Sequence, residues 1–179
     1  MNKRQRLRAE LSKLKAALRG GDSTAANNLA ATYRQLGNRR RSFHWWKRAA
    51  ETRGGDDAWL EVGYCCQYGI GVRRDGSIAI SSYRKAIRRY YVNDYQREEA
   101  RYHLAVALLD RDGRSITRQK AAQLLREAAA DGDYPQAADL LRQLSNDGQL
   151  QVCRCRRHLR ASLGRAHCRL HSPKSRRER

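Results

Sequence analysis

Phenylalanine occurs once in these 179 residues and proline twice, and aromatic residues total only 7%. A β-sandwich or barrel draws on aromatic and β-branched residues between frequent Gly/Pro turns, so this composition argues against one. No run approaches the roughly 18 consecutive apolar residues of a spanning helix. The N-terminus (MNKRQRLRAELSKLKAALRGG) lacks the uninterrupted apolar stretch of a secretory signal. The sequence therefore predicts no membrane span, no export and a cytoplasmic location. Acidic residues are scarce as well: 18 Asp+Glu stand against 38 Lys+Arg, for a net charge of +20. Such a chain is expected to bind polyanions at least non-specifically.

Leu and Ala dominate the 40% of residues that are apolar. That is too apolar for a wholly disordered chain, and it suits small and medium side chains packed helix on helix. The expected fold class is all-α. Charge divides the chain: residues 1–19 carry +6, residues 20–152 only +5, and residues 153–179 carry +9. The middle reads as an ordinary mixed-charge segment between two basic ends.

That middle segment repeats. Ala25, Ala58, Ala100 and Ala137 are each followed four residues later by Leu29, Val62, Leu104 and Leu141. Two more positions share the spacing in the first three copies: Ala30, Gly63 and Ala105 at five, then Tyr33, Cys66 and Leu108 at eight. Arg142 and Ser145 break the pattern in the fourth copy. Offsets of four, five and eight fall on one helical face. A second helix follows in each of the first three copies, marked by the pairs Ser42/Ala49, Ala79/Ala86 and Ala121/Ala128. Between these small residues sit the doublets Trp45-Trp46, Ser82-Tyr83 and Leu124-Leu125. Helices that alternate small and large residues approach closely, and neighbouring pairs bury each other's faces.

The second copy reads Ala58-xxx-Val62-Gly63-xx-Cys66-xx-Gly69-x-Gly71-Val72-xx-Asp75-xxx-Ala79-xx-Ser82-Tyr83-x-Lys85-Ala86. It resembles the Sel-one-like repeat, a relative of the tetratricopeptide repeat; Val62, Cys66 and Ser82 stand where that family has Leu, Tyr and Trp. The resemblance covers residues 22–148 as about three and a half repeats. It implies an α-solenoid, wound as a superhelix, that serves as a scaffold for a protein partner. The first copy lacks four loop residues, Leu36-Gly37-Asn38 running straight into Arg39-Arg40-Arg41, and Arg111-Asp112-Gly113 replaces the glycine loop in the third.

Local signals agree with helix pairs. Gly20-Gly21 stops one helix, and Asp22 or Ser23 is expected to N-cap the next. Asp131-Gly132-Asp133 ends a helix and caps another, with Pro135 in its first turn. In residues 1–21, Leu7, Leu11, Leu14 and Leu18 make a stripe on an otherwise basic helix. A terminal repeat needs such a helix as a cap; a membrane-surface helix or an organellar transit peptide are the rival readings.

Catalytic signals are wanting. Gly69-Ile70-Gly71-Val72 lacks the third glycine of a dinucleotide fingerprint and the Gly-Lys-Ser/Thr of a P-loop, so it reads as a repeat loop. His44, His103, His158, His167 and His171 fall in no nucleophile motif. The acidic residues form no paired constellation and are expected on the solvated surface. Cys66 takes an inward position, where a free cysteine acts as a small hydrophobe, and its neighbour Cys65 points elsewhere.

The C-terminal region differs: Cys153-x-Cys155-x2-His158-x8-His167-Cys168-x2-His171 gathers three of five cysteines and three of five histidines in 19 residues. Zinc takes four such ligands in a tetrahedron. The expected set is Cys153, Cys155, Cys168 and His171, with His158 as the substitute for His171. An odd cysteine count and the absence of an export signal oppose a disulfide. So short a segment, with few apolar residues, also needs a metal to fold. Residues 149–171 are thus expected to form a zinc module, and 172–179 a disordered basic tail. The functional expectation is a non-enzymatic adaptor with a zinc-stapled basic C-terminus. The alternative is a nucleic-acid-binding protein that uses the zinc tail and the N-terminal helix.

Overall fold

A computed structural model describes residues 2–52, 58–88, 93–111, 114–130 and 134–146, and every regular element among them is an α-helix. In chain order these are α1 (Lys3–Arg19), α2 (Ala25–Gln35), α3 (Arg39–Ala50), α4 (Ala58–Tyr68), α5 (Gly76–Arg88), α6 (Asp94–Arg111), α7 (Ser115–Ala128) and α8 (Pro135–Asn146). Each helix packs on the next, and α4 also touches α6 directly. The pairs α2–α3, α4–α5 and α6–α7 are three repeats, and α8 is the leading helix of a fourth. We call α2, α4, α6 and α8 the leading helices and α3, α5 and α7 the following ones.

The small residues that mark the repeat lie where helices meet. Ala25, Ala58, Ala100 and Ala137 on the leading helices are buried, as are Ser42, Ala49, Ala79, Ala86, Ala121 and Ala128 on the following ones. The physical reason is close approach: a larger side chain at these points would hold the backbones apart. Ser42 also ties its helix to α2, its hydroxyl donating to the Ala30 carbonyl at 2.9 Å. Large residues fill the spaces between, with Leu29, Tyr83 and Leu125 fully buried. One core runs from α2 to α6 and a second from α6 to α8; Leu124 packs against both.

The turns require the residues found in them. Gly69 and Gly71 have φ of 72° and 74°, a left-handed conformation that side chains resist. Gly71 also lies against the start of α3: a Cβ there would sit 2.1 Å from the Arg39 carbonyl oxygen. The glycine loop is thus a packing element between repeats. Asp75 then caps α5, its Oδ1 accepting from the Ser77 and Ile78 amides at 2.9 Å. The shorter first-repeat turn uses Gly37 at φ 78° and Asn38, whose side chain accepts from the Arg41 amide.

One expected cap is corrected. Thr24, not Asp22 or Ser23, precedes the first residue of α2, and its side chain makes no capping bond. Asp22 acts earlier, accepting from the Thr24 amide at 2.9 Å and its hydroxyl at 2.6 Å. Its carboxylate shapes the turn leading into the helix and also interacts with the amide of Ala25, the first residue of α2. These bonds hold the Asp22 carboxyl below the usual range. The N-terminal helix lies against α2: Leu11 packs with Leu29 and Tyr33, and Leu14 and Leu18 border that cluster. It opens with a capping box that was not among the expected caps, Asn2 and Gln5 exchanging side-chain-to-backbone bonds at 2.9 Å. Asp131-Gly132-Asp133, the expected zinc module at 149–171 and the tail at 172–179 lie outside the described residues.

Candidate interaction surface

The leading helices are cross-linked by charge and by aromatic rings. Arg34 on α2 donates to Glu61 on α4 at 2.9 Å, and Arg74 in the glycine loop reaches Asp110 near the end of α6 at 3.0 Å. Both pairs are partly exposed, so their contribution is register more than stability.

Between these ion pairs lies a cluster of rings. Tyr64 and Tyr68, one turn apart on α4, have centroids 4.6 Å apart. His103 of α6 stacks on Tyr83 of α5 at 5.7 Å and 16°, and meets Tyr64 and Tyr102 edge-on at 5.5 and 5.2 Å. From Tyr102 the contacts continue to Tyr134 at 5.2 Å and from there to Tyr95 at 5.7 Å. Tyr95 is 42% exposed, so this chain of rings leads from the buried centre to the surface. Tyr83 donates its hydroxyl to Gln67 Oε1 at 2.7 Å, anchoring α5 to α4.

Two acidic residues correct the expectation of a purely solvated acidic set: Glu98 and Glu99 are both buried. Glu99 Oε1 lies 3.9 Å from His103 Nε2. Burial, with a smaller contribution from the charge of Glu61, pushes the Glu99 carboxyl up to about 7. Burial likewise raises Tyr102 to about 12 and Tyr68, Tyr83 and Tyr134 well above the ordinary phenol value. These phenols are therefore neutral at physiological pH, and the buried Tyr68 hydroxyl has no hydrogen-bond partner among the described residues.

Cys66 is buried as expected, but Cys65 is buried too. At this point α4 is covered on more than one side, by α3, α5 and α6. Burial, reinforced by Glu61, pushes the Cys65 thiol up to about 12, and burial also raises Cys66, with Asp75 adding to it. Neither supplies a ready thiolate. Among the described residues no three His, Cys, Asp or Glu side chains converge as metal ligands. Cys153, Cys155, His158, Cys168 and His171 all lie outside those residues. His44 is exposed, its ring edge-on to Trp45.

His103 stands out in the sequence as a histidine, but its surroundings do not. The signal was present in part: Tyr64/Tyr68 and Glu99/His103 are both i, i+4 pairs. Their convergence depends on how α4, α5 and α6 pack.

The helix-pair stack with its glycine loop is a Sel-one-like, all-helical repeat fold. A solved structure with this fold, a protective antigen present in uropathogenic Escherichia coli strains and displaying an SLR (Sel-one-like repeat) fold, superposes with a TM-score of 0.62. The match covers 94% of this chain at 18% identity. The chain spans 37% of the length of that protein. No protein-family model matches the sequence, and no curated protein does. Among the described residues no helix is long and apolar enough to cross a membrane.

Proposed function

We propose that this chain is a non-enzymatic protein-interaction scaffold whose leading-helix surface holds a partner protein. The observation that carries this reading is the stacked Sel-one-like framework, an architecture whose usual role is to present an extended surface to proteins. The surface itself suits a protein partner. The leading helices together carry a net charge of only −1, and the exposed Tyr95 offers an aromatic anchor backed by a ring cluster. The test is capture of a partner from the native cell by the full-length protein, compared with Tyr95→Ala and Arg34→Glu variants. Saturable binding that both variants weaken, with helical content unchanged, supports the reading. Binding indifferent to both, or no saturable partner, overturns it.

The same proposal includes a zinc-stapled C-terminus held by Cys153, Cys155, Cys168 and His171. Its support is the ligand spacing and the need of a short, apolar-poor segment for a metal. Protein purified under reducing conditions without chelator should contain about one zinc per chain. Cys155→Ser or Cys168→Ser should abolish stoichiometric metal and leave the repeats folded. Retention of zinc by His171→Ala but not by His158→Ala assigns the fourth position to His158. Absence of metal from the parent protein refutes the module.

A further inference from the structure

The helix pairs sort charge in a way the linear sequence conceals. Read along the chain, the basic residues concentrate at the two ends. Read by helix class, α1, α3, α5 and α7 carry +6, +5, +3 and +2. The leading helices α2, α4, α6 and α8 carry +1, −1, −1 and 0. Arginine makes up 31 of the 38 basic residues, but a general bias toward arginine would enrich both classes alike. The segregation belongs to the fold.

The charge is densest on α1 and α3. All seven basic residues of α1 are exposed, with Glu10 as its only acid. On α3, Arg39, Arg40, Arg41, Lys47 and Arg48 are exposed, and the helix has no acidic residue. The two helices flank one seam, since Trp45 of α3 packs into the cluster formed by Leu11 of α1 with Leu29 and Tyr33 of α2. Two of the arginines are held in place by rings: Arg41 lies 5.7 Å from the Tyr33 centroid and Arg48 5.4 Å from that of Trp45. Elsewhere arginines pair with carboxylates, as at Arg34–Glu61, Arg74–Asp110 and Arg101–Glu127. Among the described residues no basic side chain of α1 or α3 has such a partner.

The chemistry of the face selects its occupant. Protein interfaces centre on buried aromatic and aliphatic anchors, yet among the described residues the exposed large apolar side chains, Ile78, Tyr95 and Ile116, lie on α5, α6 and α7. A membrane surface would engage the apolar side of α1, but Leu7 and Leu11 are buried and Leu14 and Leu18 are half-buried, bordering the same cluster. Single strands rely on a series of exposed rings for stacking, and of the rings on α1 and α3 only the His44 imidazole is exposed, with Phe43 and Trp45 half-buried and Trp46 buried. What remains suits a regular array of phosphates. Guanidinium groups bind phosphate bidentately and need no apolar core to do so. The 17 residues of α1 extend about 25 Å at roughly 1.5 Å per residue, a length over which duplex DNA presents about 15 charges.

We propose that α1 and α3 form a phosphate-binding face that holds the backbone of a nucleic-acid duplex without reading its sequence. Its basic residues belong to α1 and α3, not to the leading helices.

The test measures binding of the full-length protein to two duplexes of unrelated sequence, from about 50 to 200 mM salt. The triple variant Arg39→Gln, Arg40→Gln, Lys47→Gln removes three exposed charges whose side chains make no ring or ion-pair contact. A matched variant, Arg176→Gln, Arg177→Gln, Arg179→Gln, removes three from the C-terminal end. The α3 variant should bind roughly tenfold more weakly at intermediate salt, and its log K against log salt slope should fall by about 0.9 for each phosphate no longer neutralised. The matched variant should change far less, and both duplexes should behave alike. Equal losses in the two triple variants would mean that net charge alone drives binding, overturning the assignment. So would selectivity for one duplex, or binding to phosphatidylserine vesicles or an acidic polypeptide under conditions where the duplexes do not bind.

Discussion

The ring of Tyr83 lies on the backbone of Gly63, so close that a Cβ at Gly63 would stand 2.6 Å from the ring's Cε1. Gly63 occupies the small position five residues after the leading Ala58, and Tyr83 is the bulky residue of the α5 doublet. Their contact fixes the spacing of α4 and α5 and brings Tyr83 to Gln67 and His103. Gly63→Ala should therefore destabilise the protein by about 1–3 kcal/mol through overpacking. Gly76, with nothing within 4 Å of its missing Cβ, provides the control: Gly76→Ala should be neutral or stabilising by up to about 1 kcal/mol. Denaturant melts of both variants check the contrast, and equal effects would contradict it.

Gly37 and Gly71 separate backbone strain from steric collision. Both have positive φ, 78° and 74°, but a Cβ at Gly37 meets nothing within 4 Å, whereas at Gly71 it meets the Arg39 carbonyl at 2.1 Å. Gly37→Ala should cost about 1–2 kcal/mol, the penalty of a left-handed residue. Gly71→Ala should cost clearly more, because the loop must also lift from α3. A smaller loss at Gly71 than at Gly37, by thermal or chemical denaturation, would mean that this inter-repeat contact is dispensable.

Ala86 is fully buried where α5 meets its neighbours. Ala86→Leu should lower stability by about 1–3 kcal/mol, and Ala86→Ser should be better tolerated because the volume scarcely changes. A neutral Ala86→Leu would show that the small-residue seam has slack.

Glu99 makes stability depend on pH. Its folded-state pKa is about 7, against about 4.3 for an exposed Glu. Between those values the folded chain keeps a proton that the unfolded chain has released. Stability should thus fall as pH rises above about 4.3 and level off above about 7. Removing the charge with Glu99→Gln should flatten this decline and raise stability at pH 8 relative to pH 5, by an amount of order 3 kcal/mol. The titratable groups around it are Glu98 and His103 on the same helix, Glu61 with its partner Arg34, and Tyr83, Tyr95 and Tyr134. If the parent-to-variant difference were the same at pH 5 and pH 8, Glu99 would not be the group responsible.

The sequence by itself determined the repeat. Alanine, glycine and serine at fixed intervals admit only close helix pairs, and helical periodicity is a local property that spacing reveals. The glycine loop was legible for the same reason, since its backbone demands residues without a Cβ. Tertiary structure alone decided what lies side by side across repeats. Glu99 and His103 form a recognisable i, i+4 pair, but only the meeting of α4, α5 and α6 encloses them among tyrosines and raises the carboxyl's pKa. The basic residues of α3 looked like part of a mixed-charge segment because acidic residues adjoin them along the chain. Folding divides the segment into helices, and the acidic residues then fall mainly on the leading class and the basic ones on α1 and the following class. Charge is felt through space, and only the packed helices fix which residues share a face.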